Sequence, residues 1–175
     1  MSPRLRAALL VVAVALVTHA LVIGLFPRAV MSLVLSRVEA RAGSNRAWMA
    51  PRPDHTFRAI VRPSPDLLYA VCVIDLDRAG GAVDVDAMLP QSYASIALYD
   101  EETNVIAVLG ERDAVNGALR VRVSDRGARG GDGRRGVVIP SRRALLLERA
   151  LVPTESARES VERARATLRC EAVRR

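Results

Sequence analysis

One stretch near the start of the chain is apolar at almost every position. It covers residues 7–26, and only Thr18 and His19 interrupt it. An α-helix of about 20 residues is about 30 Å long, which matches the hydrocarbon core of a bilayer, and it satisfies its own backbone hydrogen bonds as lipid requires. The pattern therefore predicts a transmembrane anchor within residues 1–28.

The charges around this stretch bear on its processing and orientation. Arg4 and Arg6 precede it, as in a signal peptide, but the apolar run is too long for one and no small-x-small cleavage site follows it. An uncleaved anchor is therefore favoured over a cleaved signal peptide. Basic residues lie on both flanks of the run, so the difference in positive charge between the two sides is slight. We favour a cytoplasmic amino terminus. We expect a single-pass protein of the inner (plasma) membrane with its soluble domain on the periplasmic side.

Residues 29–53 predict a juxtamembrane helix and a linker. Helical periodicity continues over residues 29–41, where four apolar residues share one face, namely Val30, Leu33, Val34 and Val38. Pro27 permits two interpretations, a second helix that leaves the bilayer at an angle or a plain extension of the anchor. Glycine, serine, asparagine and proline then mark residues 43–53 as a linker.

Alternating apolar and polar positions indicate strands over much of residues 54–175. The predicted strands are 57–62, 68–76, 83–87, 93–100, 104–109, 119–123 and 137–139. The glycine-rich, charged residues 124–136 predict a loop. Two helices are expected after the strands, one over residues 142–151 with Ser141 as its cap, and one with Ser156 and Glu159 at capping-box spacing. Strands followed by helices indicate an α+β fold with an antiparallel sheet.

Composition argues against several classes of function. The net charge is +7 and all 26 basic residues are arginine, but these arginines are scattered among acidic residues and aromatic residues make up only 3% of the chain. Nucleic-acid-binding surfaces combine a basic patch with interleaved aromatic side chains, so we expect no nucleic-acid partner. The glycine-rich loop has neither the phosphate-loop nor the dinucleotide-binding pattern, so we expect no cofactor.

Cys72 and Cys170 are the two cysteines of the chain. They could pair in an oxidising compartment or remain buried thiols, and the second interpretation is favoured. Neither cysteine has a Cys or His neighbour at metal-ligand spacing, so we expect no metal site.

Three segments resemble the family catalogued as domain of unknown function 1254. They are RPSPDLLYAVCVIDL at 62–76, QSYASIALYDEETNVIAVLGER at 91–112 and VVIPSRRALLLERALV at 137–152. The chain departs from the family pattern at Ser64 and Pro65, where an Asn is usual, and at Leu67, where a Thr is usual. The resemblance implies that residues 54–175 form an antiparallel β-sandwich-like domain with C-terminal helices. In longer relatives a companion domain, unknown-function family 1214, follows, so the implied partner here is a separate membrane-anchored chain.

The candidate site residues are the polar residues of these segments. They are Arg62, Asp66, Tyr69, Asp75, Tyr93, Asp100, Thr103 and Asn104. Structural roles account for the three carboxylates, which could cap or close turns, and for Asn104, which tolerates the left-handed conformation of a hairpin. The favoured hypothesis is a non-catalytic envelope protein that docks a partner. The alternative is an enzyme acting on a small substrate, with Asp66 and Asp100 as a carboxylate pair and Tyr69 as a donor.

Overall fold

The structure of the chain is a computed structural model that describes residues 2–54, 63–125, 127 and 132–173. It contains one long N-terminal helix, two β-sheets and a short helix between the last two strands. This arrangement confirms the predicted α+β class, with a long apolar helix followed by a β-sandwich-like domain. One of the two predicted C-terminal helices is present, and the other is a strand.

Helix α1 extends without interruption over Pro3–Ala42, a length of 40 residues. The hydroxyl of Ser2 accepts the backbone N–H of Leu5 (3.3 Å) and caps its start, and Gly43 with a φ of +80° follows its end. Pro27 lies inside the helix. The sequence left open whether a second helix begins there, and the structure shows the plain extension. It is the one helix of the described chain that is long and apolar enough to cross a membrane.

The C-terminal part of α1 packs on the outer face of a sheet, whereas its apolar N-terminal part is exposed. The buried residues of the helix are Met31, Leu35 and Val38, at helical spacing. The predicted apolar face was partly wrong, because Val30 and Leu33 are exposed. The face that packs is rotated towards Met31 and Leu35, and these residues meet the strand residues described next.

The first sheet is entirely antiparallel, with strand order β1–β2–β8–β4–β5. Its strands are β1 (Ala47–Met49), β2 (Leu67–Asp75), β4 (Ala94–Tyr99), β5 (Val105–Gly110) and β8 (Arg143–Leu151). Val71, Val73 and Leu145 form its outer cluster with α1. The inner face of the sheet, which includes Cys72 and Leu146, belongs to the main core.

The second sheet has the order β7–β6–β3–β9 and covers the inner face of the first. Its strands are β3 (Ala82–Met88), β6 (Ala118–Ser124), β7 (Arg135–Val138) and β9 (Arg169–Ala172), and only β6 and β7 are parallel. Helix α2 (Arg158–Arg165) contributes Val161 to a third cluster with Leu68 and Ala150. Valine, leucine, isoleucine and alanine supply most of this core.

The predicted helix over residues 142–151 was wrong, because these residues form β8. This strand pairs with β2 on one side and β4 on the other; its inner face is buried and its outer face is mostly half-buried. Leucines occupy the outer face as well as the inner one, so the 2-residue period that identifies a strand is masked. Ser141, the predicted helix cap, instead donates its hydroxyl to the carbonyl of Arg143 (2.6 Å).

Four further segments differ from the predicted elements or lie outside the described residues. The predicted linker contains β1, which pairs with β2, and β9 was not predicted. The capping box is absent: Ala157 precedes α2, and the hydroxyl of Ser156 contacts that of Thr154 at 3.0 Å. The predicted strand at 57–62 lies outside the described residues.

Candidate functional site

Asp100 organises the turn between β4 and β5. Its buried carboxylate accepts the backbone N–H groups of Glu102 (2.9 Å) and Asn104 (2.8 Å) and the side-chain amide of Asn104 (2.8 Å). The left-handed residue of this turn is Thr103, with a φ of +71°, and not Asn104 as expected. Because both oxygens of Asp100 are engaged, this carboxylate acts as a turn-forming group.

Asp75 closes the turn that follows β2. Its carboxylate accepts the backbone N–H of Arg78 (3.0 Å). Its own backbone N–H and carbonyl bond to the side-chain amide of Asn45, at 2.8 and 2.9 Å. Asn45 lies just before β1, so Asp75 connects the segment after α1 to the first sheet.

Asp66, Tyr69 and Tyr93 lie towards the other end of the first sheet. Asp66 is exposed, and its carbonyl accepts the backbone N–H of Val152 (2.8 Å). Tyr69 is buried, and its hydroxyl accepts the backbone N–H of Ser64 (3.0 Å). Tyr93 is exposed beside β5. Arg62 lies outside the described residues.

Strand register separates the groups of the enzyme hypothesis. Asp66 is level with Val152, whereas Tyr99, the neighbour of Asp100, pairs with Leu145. Seven positions of strand correspond to about 23 Å, far beyond the hydrogen-bond reach that general acid–base catalysis needs. The structure therefore does not bring Asp66 and Asp100 together. Within the described residues, no group of three or more His, Cys, Asp or Glu side chains could hold a metal.

The turns of Asp75 and Asp100 lie at the end of the sheet where α1 packs. Glu39 of α1 pairs with Arg78 of the first turn (2.9 Å) and with Arg143 of β8 (2.7 Å). Arg28 of α1 pairs with Glu102 of the second turn (3.0 Å). Two of the three segments that resemble the family thus have their turns in contact with α1. The third segment contacts the helix through Arg143.

Glu148 is a buried carboxylate that the sequence prediction missed. It lies on β8 opposite Ala70 and Ile96, faces the core between the sheets, and neither of its oxygens has a hydrogen-bond partner in the described part of the chain. Burial raises the pKa of Glu148 to about 7, although the charge of Arg165 opposes the change. Had 142–151 been predicted as a strand, this Glu at an inward position would have been conspicuous.

Strand β5 is an uncharged edge of the first sheet. It reads VIAVLG and pairs with β4 alone among the described strands. The side chains of Val105 and Val108 are 56% and 57% exposed. Beside them lies a shallow cleft of about 370 Å³ whose lining includes Tyr93, Val108 and Arg112. Edge strands usually carry charges or prolines that prevent pairing with another chain, and β5 has neither.

Comparison with known proteins gives a family and a fold. The family model described as "Protein of unknown function (DUF1254)" matches residues 44–172. The VPA0106 protein from Vibrio parahaemolyticus is similar in structure, with a TM-score of 0.62, 13% identity, and coverage of 84% of this chain and 35% of that chain. An uncharacterised protein from Burkholderia cenocepacia is also similar in structure. Its TM-score is 0.54 and its sequence identity is 13%, with coverage of 86% of this chain and 41% of that chain. The chain therefore spans less than half the length of either structure, and no curated protein matches.

Proposed function

Since the chain belongs to the DUF1254 family, we propose that it is a single-pass inner-membrane protein whose β-domain docks a partner chain in the cell envelope. Helix α1 supports the anchor, because its apolar part is exposed and one of its ends packs on the domain. Arg4 and Arg6 precede the apolar run and Arg28, Arg37 and Arg41 follow it, so the charge bias is slight; we propose a cytoplasmic amino terminus, with the domain on the periplasmic side.

The edge of β5 that no other described strand covers is the observation that carries the docking proposal. An edge strand presents unpaired N–H and C=O groups, and here exposed valines flank them. A partner that adds a strand along β5 satisfies these backbone groups and covers Val105, Val108 and Tyr93 at the same time. The remaining described edge strands are shorter, and β7 and β9 contain charged residues.

The proposed occupant is a separate membrane-anchored chain that carries the companion domain implied by the sequence resemblance. In two solved structures with this fold, more than half of the chain lies outside the part that this chain matches. The turn before β5 contacts Arg28, just after the apolar run of α1, so β5 begins close to the proposed membrane surface.

The test is co-purification of the tagged full-length protein from native membranes in mild detergent. Val108→Arg places a charge on the proposed interface, and Val138→Arg is the matched control, since Val138 is 48% exposed on an edge strand of the other sheet. We expect a companion-domain chain to accompany the wild type and the control, and to be lost with Val108→Arg. Recovery of the same chain with Val108→Arg, or of no companion-domain chain with the wild type, contradicts the proposal.

The enzyme hypothesis has less support from the geometry. Asp66 lies about 23 Å along the strand direction from Tyr99, the residue before Asp100, and Asp100 already accepts three hydrogen bonds within its own turn. No observation on the described residues identifies a substrate pocket around Tyr69, whose hydroxyl bonds to the backbone of Ser64.

A further inference from the structure

Two cysteines, one from each sheet, meet in the core of the sandwich. Cys72 lies in β2 of the first sheet, and Cys170 lies in β9 of the second. Both are free thiols buried in the same core cluster, and Cys72 is near enough to Cys170 to raise the pKa of its thiol. Two neighbouring cysteines on facing sheets of a sandwich core have the placement that an inter-sheet disulfide requires.

The surroundings of the two thiols differ in a way that sets an order of reaction. Cys170 is on a four-residue edge strand that pairs only with β3 among the described strands, and it lines a cleft of about 730 Å³ between β9 and β1. Cys72 lies on an interior strand, paired with β1 on one side and β8 on the other. A small reagent therefore approaches Cys170 first, when the edge strand opens.

We propose that Cys72 and Cys170 form an intramolecular disulfide by exchange with a small-molecule disulfide such as oxidised glutathione. The Cys170 thiolate attacks one sulfur of the reagent and releases one reduced thiol. The Cys72 thiolate then attacks the Cys170 sulfur and releases the second. The two electrons lost by the protein reduce the reagent, and the two thiol protons end on the two released thiols.

This disulfide would fix an edge strand that has few other attachments. The bond closes a loop of about 100 residues, which restricts the unfolded chain strongly. For a chain of this size we expect the melting temperature to rise by roughly 10 °C on oxidation. Burial and contact with Cys72 raise the pKa of the Cys170 thiol, so the reaction should be slow and should wait for local opening of β9.

The experiment uses the purified full-length protein in detergent micelles, incubated with oxidised glutathione. The protein is then denatured, treated with a maleimide and analysed by mass spectrometry and peptide mapping. We expect a monomer about 2 Da lighter, which takes up no maleimide and yields one cross-linked peptide pair containing both cysteines. Dithiothreitol should restore two reactive thiols and lower the melting temperature again.

Single-cysteine variants provide the matched controls. Cys72→Ala leaves Cys170 without a second thiol, so it should accumulate the glutathione adduct. Cys170→Ala should leave Cys72 unmodified while the protein is folded. If either variant fails to fold, the mass and peptide map of the wild type decide alone. A wild type that keeps two free thiols, carries only glutathione adducts, or links only between molecules overturns the proposal. Because no partner is needed, this result is independent of the docking proposal.

Discussion

Replacing Glu148 by glutamine is expected to remove a pH dependence from the stability of the sandwich. The carboxylate is fully buried between the sheets, and neither oxygen has a hydrogen-bond partner in the described structure. Its pKa rises from 4.5 to about 7, with burial as the main cause. This difference in pKa corresponds to about 3 kcal/mol of folding free energy.

The direction of the effect follows from proton binding in the two states. Below pH 4.5 Glu148 is protonated in both the folded and the unfolded chain, so it imposes no pH-dependent cost. Between pH 4.5 and about 7 the unfolded chain releases the proton while the folded chain retains it, so stability falls as the pH rises. Above about pH 7 Glu148 is ionised in both states, and the full free-energy cost of burying its charge remains. The glutamine variant lacks this charge and should be the more stable protein at pH 8, but not at pH 4.5.

Urea unfolding of the full-length protein in detergent, followed by the fluorescence of Trp48, measures this difference. The free energy of unfolding is compared at pH 4.5, 6 and 8 for the wild type, Glu148→Gln and Glu111→Gln, which removes an exposed carboxylate. The wild type and Glu111→Gln should lose about 3 kcal/mol more than Glu148→Gln between pH 4.5 and 8. Parallel pH profiles for all three proteins would refute the assignment of the raised pKa to Glu148.

Two further pairs of substitutions test the helix contact and the β4–β5 turn by the same unfolding measurement. Leu35→Ala should cost about 3 kcal/mol because Leu35 is buried between α1 and the first sheet, whereas Leu33→Ala, on an exposed position, should stay within about 0.5 kcal/mol. Equal effects would show that α1 does not pack as described. Asp100→Ala should cost about 2 kcal/mol by leaving turn N–H groups without an acceptor. Thr103→Asn should be neutral or stabilising by up to about 1 kcal/mol, because asparagine tolerates the left-handed φ of Thr103 better than a β-branched residue, and a clear loss would contradict this.

The elements that the sequence predicted well are those whose pattern is local. The apolar run of α1 identifies a helix because few structures besides a membrane-spanning helix combine its length with its composition. Strands with one wet face, such as β3 and β6, show a clear period of two, with Asp84 and Arg122 facing outward as a bonded pair (2.7 Å). Their aspartates and arginines reveal the period because they mark the exposed positions.

The elements that the sequence missed depend on contacts distant in the chain. Strand β8 carries apolar residues on both faces, and only its pairing with β2 and β4 distinguishes it from a helix. Strands β1 and β9 have three and four residues, too few for a period, and exist because β2 and β3 offer edges. The turn roles of Asp75 and Asp100 follow from their places at strand ends. The burial of Glu148 could not be predicted in this way, because that prediction requires residues 143–151 to be assigned as strand β8.

The contact between α1 and the first sheet gives the domain a fixed orientation relative to the helix. Arg28 and Glu39 bind the sheet 11 helical positions apart, which is about 16 Å, and Leu35 packs between them. The ion pair of Arg28 is exposed and contributes little energy, so the buried leucine and its neighbours must hold the helix in place. Contacts spread over this length prevent the domain from rotating about the helix, whereas a single contact would allow such rotation. In the proposed membrane arrangement, a bilayer around the apolar part of α1 would meet the domain at the β4–β5 turn, and the edge of β5 that no other described strand covers would begin within reach of the proposed partner.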